Sequence, residues 1–290
     1  MFLLSLLPQF FYRPVPVACR GVWRTAALEI SGLVKQYSPQ VRALDGIDIE
    51  VAEGEVFGLI GPNGAGKSTT IRIVATLLSP TAGSVKVLGL DVVKNQQEVR
   101  SIISYLPEEA GAYENLSGEE YLRFMARFYK GDAEEALQRG KRIADLGDRI
   151  KSKTKEYSKG MKRRLLIGRT LMTDSKLYIM DEPTGGLDVL HAHHIRNMIK
   201  DRVRRTKTSA LVSSHNLLEV EFLCDRVAII HKGRIAVAGT PAELKARFSA
   251  ENLEEVFLEI VGHHHEPVKA TSPEPNHNDG ASWPTAKEAP

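Results

Sequence analysis

Cysteine is nearly absent from this chain. Cys19 and Cys224 are far apart and have no metal-ligand spacing, which excludes a disulfide framework and fits reduced thiols in a cytosolic setting. Long apolar runs are missing as well: no stretch approaches the roughly 20 apolar residues that cross a bilayer. The opening MFLLSLLPQFFY is short, is interrupted by Pro8 and lacks the positive lead of a signal peptide. Neither sign of charge dominates. Lys+Arg number 39 against Asp+Glu at 36, and the resulting net charge of +3 is too small to argue for a nucleic-acid partner. The basic residues from Lys151 to Arg164 lack the interleaved aromatics of a base-stacking surface, Tyr157 apart. HAHH at 191–194 and HHH at 263–265 lack the partners and framework of a structural metal site.

What is present is a loop built for phosphate. In GPNGAGKSTT, residues 61–70, Gly61, Gly64 and Gly66 let successive amides turn inward toward an anion, with Pro62, Asn63, Ala65 and Thr69 completing the loop. The apolar run Val56–Ile60 before it reads as a buried strand. From Lys67 onward Ile71, Val74, Leu77 and Leu78 recur at helical spacing. Strand, loop and helix in that order are the context the G-x-x-x-x-G-K-[ST] pattern requires. Lys67 is placed to reach the β- and γ-phosphates and Ser68 to ligate magnesium, at a helix N-terminus that adds partial positive charge. KLYIMDEP supplies the other half: an apolar strand delivers Asp181, a magnesium ligand directly or through water, and Glu182, a base for the attacking water.

The remaining elements alternate as a parallel sheet with helices around it. Ile47, Ile49 and Val51, and then Val85 and Val87, alternate as half-buried strands of an antiparallel flap. Ile102–Leu106, Leu177–Met180, Ala210–Ser213 and Val227–Ile230 read as inner strands. From Ser117 to Leu171 the periodicity is helical. SGEE at 117–120 has the capping-box form, followed by Leu122, Met125 and Tyr129; Asp132 caps a second helix, and a third begins near Gly160. The phosphate loop occurs once, so the chain carries one nucleotide-binding unit.

In YSKGMKRRLLIGRTLM, Tyr157–Met172, Ser158 and the Gly160 amide form a second anion site at the start of a basic helix. Here the sequence resembles the ATP-binding cassette family, whose signature is commonly LSGGQ. Other segments match the family in order over about residues 26–245. Tyr37 stands where the family places an aromatic on adenine, Glu108 of YLPEE at the Q-loop, Asp188 of TGGLD at the D-loop, and His215 of SSHN at the switch histidine. Two departures stand out: Lys159 and Met161 replace a glycine and the glutamine of the signature, and Glu108 stands where glutamine is usual, with Glu109 the counterpart if the loop shifts by one.

The resemblance implies an α/β fold, a P-loop NTPase (RecA-like) core with an antiparallel β flap and an inserted α-helical subdomain at about 110–172 of a 26–245 ATP-binding domain. Residues 246–262 form a helical or strand ending, 1–24 a poorly ordered extension and 263–290 a disordered tail. It also implies ATP and Mg2+ as ligands and head-to-tail pairing with a second copy or a homologous cassette. Each ATP would be bound by Lys67 and Ser68 of one copy and closed over by Ser158 and Gly160 of the other. The implied partner is a separately encoded multi-span permease, with the chain peripheral on the cytoplasmic face of the cell membrane. A soluble cassette ATPase acting on ribosomes or DNA is the alternative, though such proteins normally carry two cassettes or a long coiled-coil insertion.

Overall fold

The computed structural model describes residues 26–129 and 131–262. The expected N-terminal extension and C-terminal tail lie outside them. The chain runs through β1 (Ala26–Ser38), β2 (Val41–Ala52), β3 (Val56–Ile60), α1 (Lys67–Val74), β4 (Ala82–Val87), β5 (Leu90–Asp91), α2 (Gln96–Ile102) and β6 (Ile103–Leu106). Three helices follow: α3 (Gly118–Ala126), α4 (Ala133–Ala144) and α5 (Lys159–Leu171). The second half contains β7 (Leu177–Asp181), α6 (Val189–Thr206), β8 (Ser209–Ser214), α7 (Leu217–Leu223), β9 (Arg226–His231), β10 (Arg234–Gly239), α8 (Pro241–Phe248) and α9 (Leu253–Gly262).

Two sheets result. The larger has the order β10-β9-β3-β8-β7-β6, parallel throughout except for β10, and the smaller is the antiparallel flap β2-β1-β4-β5. Every residue of β3, β7 and β8 is buried, which is why these strands read as unbroken apolar runs rather than alternating ones. Within them the pleat sorts side chains by period two. Phe57, Leu59, Leu177, Ile179 and Leu211 face the core shared with the flap and α1, while Tyr178, Met180, Ala210 and Val212 face the core shared with the helices.

The helical segment starts and stops where its side chains dictate. Ser117 Oγ accepts from the Glu120 amide at 3.2 Å and Glu120 Oε2 accepts from the Ser117 amide at 2.8 Å, the reciprocal capping box. Asp132 Oδ1 accepts from the Glu134 and Glu135 amides at the start of α4, and Ser158 caps α5 by accepting from Met161 at 3.2 Å.

The structure departs from the sequence reading at several points. The first helix ends at Val74, so Leu77 and Leu78 lie beyond it and Leu77 is exposed. The stop is Thr76, at φ 61°, held by Arg100 through Oγ1 at 2.7 Å and the carbonyl oxygen at 3.1 Å. Ile102 closes α2 rather than opening β6. The flap's longest strand, β1, has no counterpart among the expected strands; its pairing with β2 shifts register repeatedly and Gly32 sits at φ 55°, so apolar and polar residues do not alternate cleanly. The C-terminal ending, open between helix and strand, is helical.

Candidate active site

The phosphate loop joins the end of β3 to α1, and its glycines answer to close neighbours. A Cβ at Gly61 would stand 2.3 Å from the Ile230 carbonyl oxygen; at Gly66, where φ is 115°, it would meet Leu44 at 2.6 Å and the Ala43 carbonyl at 2.9 Å. The loop is therefore wedged between the ends of β2 and β9, and Gly233 donates to the Ala65 carbonyl at 3.0 Å. Lys67 is buried, and its Nζ donates to the carbonyls of Gly61 (2.7 Å) and Pro62 (3.2 Å). Two of the three ammonium donors thus hold the loop in its turn around a positive centre.

Opposite stands the carboxyl end of β7. Pro62, Asn63, Gly64, Gly66, Lys67, Ser68, Thr69, Glu108, Asp181 and Glu182 line one cleft of about 220 Å³. Asp181 is buried and accepts a hydrogen bond from Ser213 Oγ on β8. Glu182 adopts φ 51°, a left-handed conformation that is uncommon for a residue with a Cβ. Its surroundings are explicit. The Glu182 amide donates to the Ser213 carbonyl (3.2 Å) and to Ser213 Oγ (3.1 Å), and its carbonyl accepts from the Gly185 amide (3.0 Å) and from Arg163. His215 Nδ1 lies 2.8 Å from Glu182 Oε2. Burial raises the Glu182 carboxyl above its ordinary range; the His215 hydrogen bond and the charges of His215 and Lys67 oppose this, and Asp181 reinforces it.

Glu108 lines the cleft, and Glu109 is not among its lining residues. Tyr37 projects from β1 at the cleft's edge, half-exposed, with its hydroxyl 3.4 Å from Thr69 Oγ1 and Lys35 Nζ 5.3 Å from its ring centre, so an aromatic face is available beside the loop. The donors suit a small hard cation: Ser68, Asp181 and Glu108 offer oxygen alone. Among the described residues no group of three or more His, Cys, Asp or Glu side chains could hold a metal by itself. A site of this kind fits magnesium, which binds through one or two carboxylates and completes its shell with phosphate oxygens and water.

Ser158, Gly160 and Asp188 are not part of the cleft's lining. They sit together elsewhere: a Cβ at Gly160 would meet Leu187 at 3.7 Å, and one at Gly186 would meet Lys159 at 3.1 Å, so the start of α5 packs on the loop that leads into α6. Asp188 caps α6, accepting from the His191 amide at 3.0 Å and pairing with His191 Nδ1 at 2.5 Å. Sequence reasoning missed Arg163, Ser213 and the partly buried trio Thr184, Glu219 and Arg196, in which Glu219 accepts from Thr184 Oγ1 and pairs with Arg196 at 2.8 Å. A signal for Arg163 exists: it shares a helical stripe with Leu166, Ile167 and Thr170, all buried, where a solvated arginine has no place.

The family model described as ABC transporter matches residues 44–185. A daunorubicin/doxorubicin resistance ATP-binding protein of Streptomyces peucetius is 41% identical over 235 residues, covering 79% of this chain and 70% of the relative. A linearmycin resistance ATP-binding protein of Bacillus subtilis is 36% identical over 229 residues, covering 78% and 73%. Among solved structures, one described as the ATP binding subunit of an ABC transporter superposes with a TM-score of 0.73 at 33% identity, over 81% of this chain and 99% of that one. A dimeric cassette bound to ADP and Pi superposes with a TM-score of 0.68 at 22% identity, over 73% and 98%, a likeness of fold alone.

Proposed function

Because this chain belongs to the ABC transporter family and has the fold of its ATP-binding subunits, we propose that it hydrolyses ATP in a head-to-tail dimer to drive a separately encoded export permease. One observation carries the reading. A single cleft joins the phosphate loop to Asp181 and Glu182, while Ser158 and Gly160 lie at the start of α5, outside its lining. A second copy can supply what the first lacks.

In that dimer the loop amides and Lys67 bind the phosphate chain and Tyr37 offers a face to adenine. Ser68, Asp181 and Glu108 would hold a magnesium ion, which when bound would supply positive charge beside the phosphate oxygens. Glu182 takes the proton from the attacking water as the new bond to the γ-phosphorus forms and the bond to ADP breaks. His215, fixed at 2.8 Å, keeps that carboxylate aimed. Ser158 and Gly160 of the partner close over the γ-phosphate, and Asp188 lies at the seam. Binding favours the closed pair and hydrolysis releases it.

The permease's place is the helical segment beside the Glu108 loop. Tyr113, Phe124 and Phe128 form an exposed ladder there, with ring centroids 5.7 Å and 5.0 Å apart in edge-to-face contacts, an apolar surface that a partner would cover. No helix among the described residues is long and apolar enough to cross a membrane. The relatives named for drug resistance support export as the direction. The test is the Glu182→Gln protein on a sizing column. It should run as a dimer with ATP and as a monomer without nucleotide; a monomer under both conditions would refute the dimeric site.

A further inference from the structure

Arg163 belongs to the run of basic residues around the start of α5, yet it is buried and has no side-chain partner within salt-bridge distance among the described residues. Its guanidinium is enclosed by backbone carbonyls. Nε donates to Pro183 (3.0 Å), Nη1 to Pro107 (3.0 Å) and Glu108 (3.1 Å), and Nη2 to Asp181 (2.6 Å) and Glu182. A guanidinium has five N–H donors in a rigid planar fork, and here five oxygens receive them. Those oxygens come from two segments that are far apart in sequence. One follows β6 and carries Glu108; the other is the end of β7 with the turn after it and carries Asp181 and Glu182.

We propose that Arg163 is a positioning residue for hydrolysis, clamping the carbonyl side of Glu182 to the Glu108 loop so that the base keeps its left-handed conformation and its aim. The inference rests on Glu182 being the base, as proposed above. Glu182 at φ 51° has its amide side held by Ser213 and its carbonyl side by Arg163 and Gly185. Without the clamp the peptide after Glu182 can relax toward an ordinary conformation, which turns the carboxylate away from the cleft. The phosphate loop makes none of these contacts and Arg163 touches only the backbone of Asp181 and Glu108, so nucleotide affinity should change far less than the rate. Lysine cannot replace the fork, because a single ammonium has three donors and no fixed plane.

The test compares full-length wild type, Arg163→Lys, Arg163→Met, Glu182→Gln and the Glu182→Gln/Arg163→Met double variant. Single-turnover release of labelled phosphate gives the rate and equilibrium titration gives ATP affinity. Arg163→Met should lower the rate about 30- to 100-fold with affinity within about threefold of wild type, and Arg163→Lys should fall between them, as expected when a group acts only in the reacting state. In the Glu182→Gln background, Arg163→Met should add little, because the residue it positions is already disabled. Should Arg163→Met not fold, the lysine variant carries the same comparison. Either of two results would overturn the inference: a wild-type rate per folded molecule in Arg163→Lys and Arg163→Met, or a full multiplicative loss in the double variant. A wild-type rate in Glu182→Gln would instead reject Glu182 as the base, and so separates the two failures.

Discussion

The two walls of the cleft do the same kind of work with opposite construction. Residues 61–70 bring their own amides, turn and helix start in one contiguous stretch, whereas the acids across from them are held by residues from β8, α5 and two separate loops. A contiguous wall carries its geometry in its residue spacing. A convergent wall carries it in contacts between residues more than fifty positions apart, such as Arg163 and Glu108. The first should tolerate little change of shape, and the second should fail in function while the fold survives.

The largest expected effect breaks the convergent wall at its reacting atom. Glu182→Gln keeps the shape and loses the base, and turnover should fall by about a hundredfold or more while ATP affinity holds. Unchanged turnover in a phosphate-release assay would remove Glu182 from the chemistry. On the contiguous wall, Gly61→Ala places a methyl 2.3 Å from the Ile230 carbonyl. Overpacking of this kind costs about 1–3 kcal/mol, and because the strain falls on the loop itself, ATP affinity should drop together with the melting temperature. A stable Gly61→Ala protein with wild-type affinity would show the loop to be more plastic than its contacts imply.

Acid and base behaviour sharpens the contrast next. Burial raises the pKa of Glu182 above its ordinary value of 4.5, so kcat should fall on acidification with a midpoint above the ordinary carboxylate range. The stability this group contributes is full below 4.5 and is lost as pH climbs through the raised value. Glu182→Gln should therefore melt higher than wild type at neutral pH and converge with it in acid; parallel melting curves at all pH values would contradict the burial argument. A smaller effect is expected at Glu108. A carboxylate there would bind magnesium but repel the γ-phosphate, so Glu108→Gln should make ATP binding less dependent on magnesium while Glu109→Gln leaves the dependence as it was. Superimposable magnesium titrations for wild type and Glu108→Gln would take Glu108 out of the metal site. Smallest is Ser117→Ala, which removes the cap of α3 and should cost about 1 kcal/mol in unfolding with no change in hydrolysis per folded molecule.

Much of the fold was legible where local pattern and final environment agree. β3, β7 and β8 are buried on both faces and read as apolar runs; Ser117, Asp132 and Ser158 cap the helices their spacing announces. β1 was not legible, since a strand that slips register against its neighbour presents no clean period. Of the site, the phosphate loop and the pair Asp181 and Glu182 could be placed because each is a short motif with its own strand. Arg163 could at most be seen as a basic residue on an apolar stripe; its role could not be read, because the five carbonyls that surround it converge from segments far away in sequence.

The central claim is that one chain's cleft is completed by Ser158 of another, and mixing two inactive proteins tests it most directly. Ser158→Trp keeps its own Glu182 and lacks the closing serine; Glu182→Gln keeps Ser158 and lacks the base. In a mixed dimer one of the two sites has both. With random pairing, an equimolar mixture should recover about a quarter of wild-type turnover from two proteins that are each inactive. A mixture as inactive as its components would mean that Ser158 serves its own cleft or none, and the shared site would be wrong.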